Sequence, residues 1–227
     1  MPRHKFFGTK APQKPAGLII PETAVFLKND CKEGKWMLGE TGYGDEMECF
    51  IIKLSRRIAE YQDSRIAQAQ LWLTPFSGKM PAGIVYYTLI KNSKSGRSGS
   101  LKNFGQQVAI AQSQGYDPRE LVWMPKFVKR SGVISDENGM PQSASWYVLD
   151  WAFREPETAE MPTLDRCVAI LESDAQLNAL FDMDLEASSI CVDGMSNADI
   201  RLLLQGNRPV PIVPETNGKQ PALSAAK

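Results

Sequence analysis

Two stretches decide how this chain is read: Val122-Trp123-Met124-Pro125-Lys126-Phe127-Val128-Lys129-Arg130, and Ser145-Trp146-Tyr147-Val148-Leu149-Asp150-Trp151-Ala152-Phe153. In an extended chain, successive side chains point to opposite faces. On the first stretch Trp123, Phe127 and Lys129 therefore share one face, and Lys126 and Arg130 share the other. On the second, Trp146 alternates against Tyr147, Trp151 and Phe153. The interval Gly132 to Ala144 holds the turn dipeptide Asn138-Gly139, which predicts that the two stretches pair as a hairpin with a long loop.

Upstream, apolar and polar residues keep alternating in short bursts bounded by Gly and Pro. Further strands are expected at Gly17 to Ile20, Ala24 to Leu27, Lys35 to Leu38, Glu48 to Leu54, Ala69 to Leu73 and Ile84 to Ile90. One helix interrupts this series. Leu101, Phe104, Val108 and Ala111 recur at helical spacing, with Ser100 placed to cap the start and Gly115 to close the end. Asp117-Pro118-Arg119-Glu120 reads as a turn leading into the hairpin.

Beyond Pro156 the texture turns helical and acidic. Three apolar stripes follow: Leu164, Cys167, Val168 and Leu171; then Leu177, Leu180 and Phe181; then Ile200, Leu202, Leu203 and Leu204, the last begun by a cap-like Ser196 with Asp199 three residues on. The fold class expected is α+β: a mostly antiparallel β-barrel resembling the oligonucleotide/oligosaccharide-binding type, with an inserted helix and a small C-terminal helical extension. Its parts are a flexible N-terminus (1–15), the barrel (16–155), the acidic extension (156–206) and a disordered tail (207–227). In the tail, Pro209, Pro211, Pro214 and Pro221 accompany few large apolar residues.

The net charge of the 227 residues is zero, which conceals a division along the chain. Residues 1–155 carry 21 Lys+Arg and 15 Asp+Glu, whereas residues 156–227 carry 5 and 11. Between Lys91 and Arg130 stand eight cations (Lys91, Lys94, Arg97, Lys102, Arg119, Lys126, Lys129 and Arg130) against Asp117 and Glu120 alone. A basic patch draws a polyanion by releasing the counterions of its phosphates, so nucleic acid is the first partner expected. Lys91, Lys94, Arg97, Lys102, Lys126, Lys129 and Arg130 are the candidate phosphate contacts. Trp123, Phe127, Trp146 and Tyr86 are the candidate rings on which bases stack, because every base offers a face to an aromatic side chain. A ring on an alternating strand is core more often than platform, so only some of these four need face outward.

Signals for other chemistry are sparse. His4 is the one histidine, so no Ser-His or Cys-His pair is available in an ordered site, and no phosphate-cradling glycine loop of the GxxxxGK[ST] type occurs. The cysteines Cys31, Cys49, Cys167 and Cys191 are isolated from one another and read as small buried hydrophobes in a reducing cytoplasm. No signal peptide and no apolar run of membrane-spanning length is seen. Carboxylates remain available for a metal-dependent nuclease, for example Asp45, Glu46 and Glu48 followed by Lys53, although acids are common in such turns for solvation alone.

The run from Gly83 to Phe153 resembles phage and cyanobacterial-plasmid proteins with a single-stranded-DNA-binding-like domain. The residues that carry the resemblance are GIVYYTLI (Gly83 to Ile90), the basic loop after it, QGYDPREL (Gln114 to Leu121), VWMPKFVKR (Val122 to Arg130) and SWYVLDWAF (Ser145 to Phe153). It covers about a third of the chain and implies a barrel that binds single-stranded DNA, with no residue roles to carry over.

The function expected is therefore a non-enzymatic protein that holds single-stranded DNA or RNA during replication or recombination of a mobile element, such as a phage or plasmid, without metal or cofactor. The competing expectation is a structural or adapter subunit of a phage or nucleic-acid machine, with a protein partner on residues 156–206. Assembly with further copies of the chain is left open, and no membrane partner is expected.

Overall fold

The computed structural model describes residues 18–61, 64–91, 99–135, 140–173 and 189–205. Among them are nine strands and three helices, an α+β arrangement whose strands pair antiparallel. Three short strands, β1 (Lys28–Asp30), β2 (Lys35–Leu38) and β3 (Thr41–Gly42), make a small sheet. The main sheet is built on two long hairpins. β4 (Met47–Tyr61) pairs with β5 (Ser64–Gly78), and β7 (Val122–Ser135) pairs with β8 (Pro141–Arg154). With β6 (Tyr86–Lys91) the order is β6-β5-β4-β7-β8, and β9 (Ser189–Cys191) joins the free edge of β4 at Arg57–Ala59.

Alternation explains why the hairpins form and what they bury. From β4 and β5, Met47, Cys49, Ile51, Ala69, Leu71 and Leu73 point to one side, where they meet Trp123, Phe127, Leu149 and Trp151 of the second hairpin. Phe50, Ile52, Trp72 and Val122 point to the other side. Each side is covered by a helix. α1 (Ser100–Ser113) lays Phe104 and Ala111 on the first, and α2 (Met161–Ser173) lays Leu164, Cys167 and Ile170 on the second, beside Leu18 and Ile20. The sheet is thus buried on both faces, and its strands are apolar on both faces over their central residues.

No strand pairing among the described residues closes the sheet into a barrel. Its two outer strands are nevertheless joined by one segment: Leu27 N–H donates to Tyr87 O of β6 at 2.8 Å, and Cys31 O accepts from Tyr147 N–H of β8 at 3.0 Å. The remaining edge of β8 is covered by side chains of α1. Ser100 Oγ accepts from Leu149 N–H at 2.8 Å and Asn103 Oδ1 accepts from Trp151 N–H at 2.6 Å. With Cys31 O on Tyr147, every second N–H from 147 to 151 has an acceptor, because alternate amides of an edge strand face away from its partner.

Several expectations from sequence are corrected here. The strands expected at Glu48 to Leu54 and Ala69 to Leu73 run on to Tyr61 and back to Ser64. Ile19 and Phe26 make only isolated bridges, to Ile84 and Tyr87, and the Gly17 end of the first expected strand lies outside the described residues. Ser100 does not cap α1. Gly99 is the N-cap, and the Ser100 hydroxyl is spent on β8. Gly115, at φ +86°, does close the helix, donating to Gln112 O at 3.0 Å. Cys191 is exposed and Cys31 half-buried, so only Cys49 and Cys167 are the buried hydrophobes expected of all four. Burial pushes the Cys167 thiol up to about 12.

The C-terminal part docks on the sheet through α2, β9 and α3 (Asn197–Leu204), whose Ser196 cap accepts from Asp199 N–H at 3.2 Å. The second apolar stripe (Leu177, Leu180, Phe181), residues 1–15 and residues 207–227 lie outside the described residues.

Candidate nucleic-acid interface

The two long hairpins place the candidate side chains, and they divide them sharply. Trp123, Phe127 and Tyr86 are 0%, 4% and 2% exposed. They are core residues, which corrects the expectation that they serve as stacking platforms. Trp123 is hemmed in by Phe104, Trp151 and Phe153, with ring centroids 5.3, 6.1 and 5.7 Å away, and its Nε1–H donates to Pro118 O at 2.8 Å. Phe127 packs edge-on against Trp36. The reason is that α1 and the Trp36 strand cover the very face on which these three rings lie.

Trp146 has a different setting. Its strand position is opposite Arg130, on the face of the hairpin away from Trp123 and Phe127, and it stays half-buried. The neighbouring position on its own face is Gly132. A Cβ there would stand 3.1 Å from Cη2 and 3.6 Å from Cζ3 of the indole, so the missing side chain leaves room for the far edge of the ring. Tyr147, on the opposite face, rests in the same manner on Gly34 of the β1–β2 turn. A Cβ on Gly34 would come within 2.6 Å of the ring, and its φ of +68° also favours glycine.

The cations separate as well. Lys129 and Arg130 are exposed on consecutive positions of β7, opposite Tyr147 and Trp146, and have no ion pair or hydrogen bond from their side chains among the described residues. Lys126 is exposed but engaged: Glu46 lies 2.7 Å from its Nζ and keeps the ammonium protonated to higher pH than usual. Lys102 is exposed on α1. Lys91 ends β6, with β5 and β4 between it and β7 in the sheet order. Lys94 and Arg97 lie outside the described residues. Of the eleven candidates, only Lys126, Lys129, Arg130 and Trp146 are gathered on one hairpin with their side chains at the surface.

Below Trp146, the same face of the hairpin continues into a groove of about 560 Å³ lined by Met124, Lys126, Val128, Asp150 and Ala152 with Glu46 and Glu48 at its side. Two of the three carboxylates of this groove, Glu46 on Lys126 and Glu48, are already committed. Glu48 accepts from Ser77 Oγ at 2.9 Å and faces Arg154 at 3.2 Å, and Arg154 forks onto Glu160. Among the described residues no three His, Cys, Asp or Glu side chains are placed to hold a metal ion. Nor is any described helix long and apolar enough to cross a membrane.

Sequence reasoning missed the role of Gly132. It reads as hairpin punctuation, yet it sits inside β7 and seats a tryptophan from the partner strand. A glycine within an alternating run, opposite a strand that carries a large ring, is the signal that finds such a seat.

Comparison with known proteins finds no matching family model, no matching curated protein and no matching solved structure.

Proposed function

We propose that this chain is a non-enzymatic protein that holds single-stranded nucleic acid, in the replication or recombination of a mobile element, through the outer part of the β7–β8 hairpin. The observation that carries this reading is the pairing of Arg130 with Trp146 on a ribbon where Gly132 leaves room for the far edge of the indole. A guanidinium for a phosphate and a ring for a base, side by side, are the two groups that sequence-tolerant strand binding requires. Lys129 adds a second uncommitted cation. The OB-like barrel belongs to the same reading, supported by the segment that links β6 to β8 through Leu27 and Cys31.

The test is a fluorescence anisotropy titration of an oligo-dT strand at two salt concentrations. Affinity should fall with salt by about 0.7 log units per log unit of salt for each phosphate neutralised, and Arg130→Ala should flatten that slope by about one phosphate. Absence of binding at low salt, or a slope indifferent to Arg130→Ala and Lys129→Ala, overturns the assignment.

The adapter reading has one observation in its favour. Ile190 on β9 and Leu202 on α3 are 52% and 67% exposed, both on the C-terminal part. If that part recruits a protein partner, Ile190→Ser with Leu202→Ser should abolish capture of the partner while leaving oligonucleotide binding intact.

A further inference from the structure

The face of the β7–β8 hairpin that carries Trp146 is a ladder of cross-strand pairs. From its outer part inward these are Arg130 with Trp146, Val128 with Val148, Lys126 with Asp150, and Met124 with Ala152. They share a face because every second side chain of a strand points the same way. The two inner rungs line the groove of about 560 Å³ beside Glu46 and Glu48. Sites that take small molecules usually enclose about 300–1,000 Å³, so a flat ring system fits this one.

Of the three carboxylates bordering the groove, one is uncommitted. Glu46 holds the Lys126 ammonium at 2.7 Å, and Glu48 is shared between Ser77 and Arg154. Asp150 stands directly opposite Lys126 on the ladder, yet that ammonium goes to Glu46. The Asp150 side chain has no ion pair or hydrogen bond among the described residues, although it is half-buried. Met124, Val128 and Ala152 surround it with apolar atoms.

A carboxylate in this place selects its occupant by chemistry. An ionised carboxylate only accepts hydrogen bonds, and it repels phosphates, which are drawn instead to Arg130 and Lys129. The occupant must therefore bring donors on a flat, largely apolar body. Bases of single strands are recognised in this manner, splayed out and hydrogen-bonded along their pairing edges. Guanine alone offers two adjacent donors there, N1–H and the N2 amino group, one for each carboxylate oxygen. Adenine and cytosine set a single amino group beside an acceptor, and thymine sets a single N–H between two carbonyl oxygens. Asp150 lies four residues along β8 from Trp146, about 13 Å, with the two valines between. A strand with one base on Trp146 thus carries a nearby base over the valines into the groove.

We propose that this groove takes one base of the bound strand and that Asp150 selects guanine there. The assignment rests on the strand-binding reading of Arg130 and Trp146, to which it adds a preference at one position.

Anisotropy titrations of the full chain test it, with oligo-dT and with the same strand carrying guanine, hypoxanthine or adenine at its central position. The guanine strand should bind about five- to 150-fold tighter than oligo-dT, and hypoxanthine, which lacks the N2 amino group, should lose most of that gain. Asp150→Ala should bring the ratio of guanine-strand to oligo-dT affinity to one. Asp150→Asn replaces two acceptors by one acceptor and one donor, the complement of adenine, so the preference should pass to the adenine strand. Because Asp150 has no partner to lose, both variants should keep the wild-type melting temperature. Oligo-dT binding with no gain from guanine overturns this proposal and leaves the strand-binding reading standing, whereas failure of every strand to bind overturns both. A guanine preference that survives Asp150→Ala removes Asp150 from the role. An Asp150-dependent affinity for an arginine-rich peptide, with none for the guanine strand, overturns the proposal in favour of a protein partner.

Discussion

Trp146 lies so close to Gly132 that a Cβ there would stand 3.1 Å from the indole Cη2, tighter than an ordinary contact. A side chain at 132 requires the ring, the cross-strand neighbour of Arg130, to give way, and a branched one requires more than a Cβ alone. Trp146→Ala should therefore weaken oligo-dT binding by about 1–3 kcal/mol, roughly five- to 150-fold. Gly132→Val should do the same without removing the ring or any charge. Both positions lie on the outer ribbon, so thermal stability should change little. Anisotropy titration beside a melting curve separates the two effects.

Trp123 gives the opposite pattern. Its ring is enclosed by Phe104, Trp151 and Phe153, and truncation leaves a large cavity at the junction of α1 and both hairpins. Trp123→Ala should cost about 3–5 kcal/mol of stability, read from the denaturant midpoint. The protein that remains folded should bind oligonucleotide as before.

The contrast between these two tryptophans shows what the sequence made legible. Alternation located both on their strands and sorted each from its own strand neighbours, and it found the hairpin and α1. It did not show which face is outside, because both faces of this sheet are covered. The covers are α1 and the Trp36 strand on one side and α2 on the other, elements distant in sequence. The strand ends were missed for a related reason. Ser55, Arg57, Gln68 and Gln70 are buried, but a polar run reads as a strand ending. Arg57 is tolerated there because its guanidinium meets Ser189 of β9, with Nε 2.9 Å from the hydroxyl, a partner 132 residues away.

Asn103, together with Ser100, stands in for a strand along β8. Asn103→Ala leaves the Trp151 N–H without its acceptor in a part-buried place, at a cost of roughly 1–3 kcal/mol. Asn103→Asp keeps the acceptor oxygen and should recover most of the loss. Hydrogen exchange at the Trp151 amide should quicken in the alanine variant alone, whereas a role for Asn103 confined to helix packing would leave that amide protected in both.

Arg154 and Glu160 join the end of β8 to the start of α2, with guanidinium–carboxylate distances of 2.8 and 2.7 Å. The arginine holds the Glu160 carboxyl below its ordinary value of 4.5, helped by the Glu157 amide. A carboxyl whose folded value is depressed contributes stability above the ordinary value and loses that contribution as pH falls through the folded one. Arg154 stays charged throughout. The wild-type chain should thus be more stable than Glu160→Gln at neutral pH, and the difference should shrink steadily below about pH 4.5. Urea midpoints of both proteins across that range check it.

The docking of α2 also determines what happens when the chain is cut after Glu155. Were the acidic extension a detachable module, the remaining sheet would fold and keep or improve its hold on nucleic acid. Leu164, Cys167 and Ile170, however, cover Phe50, Ile52, Trp72 and Val122. These are residues of three different strands, and they would face water together. An apolar surface of that breadth on a sheet favours association. Truncation at Glu155 should therefore yield an aggregating or unfolded product. A cut after Gln205, beyond α3, should leave a folded protein with its melting temperature close to that of the full chain. Circular dichroism and light scattering of the two truncated chains distinguish these outcomes, and a well-folded monomer from the shorter one would show that the second face of the sheet needs no cover.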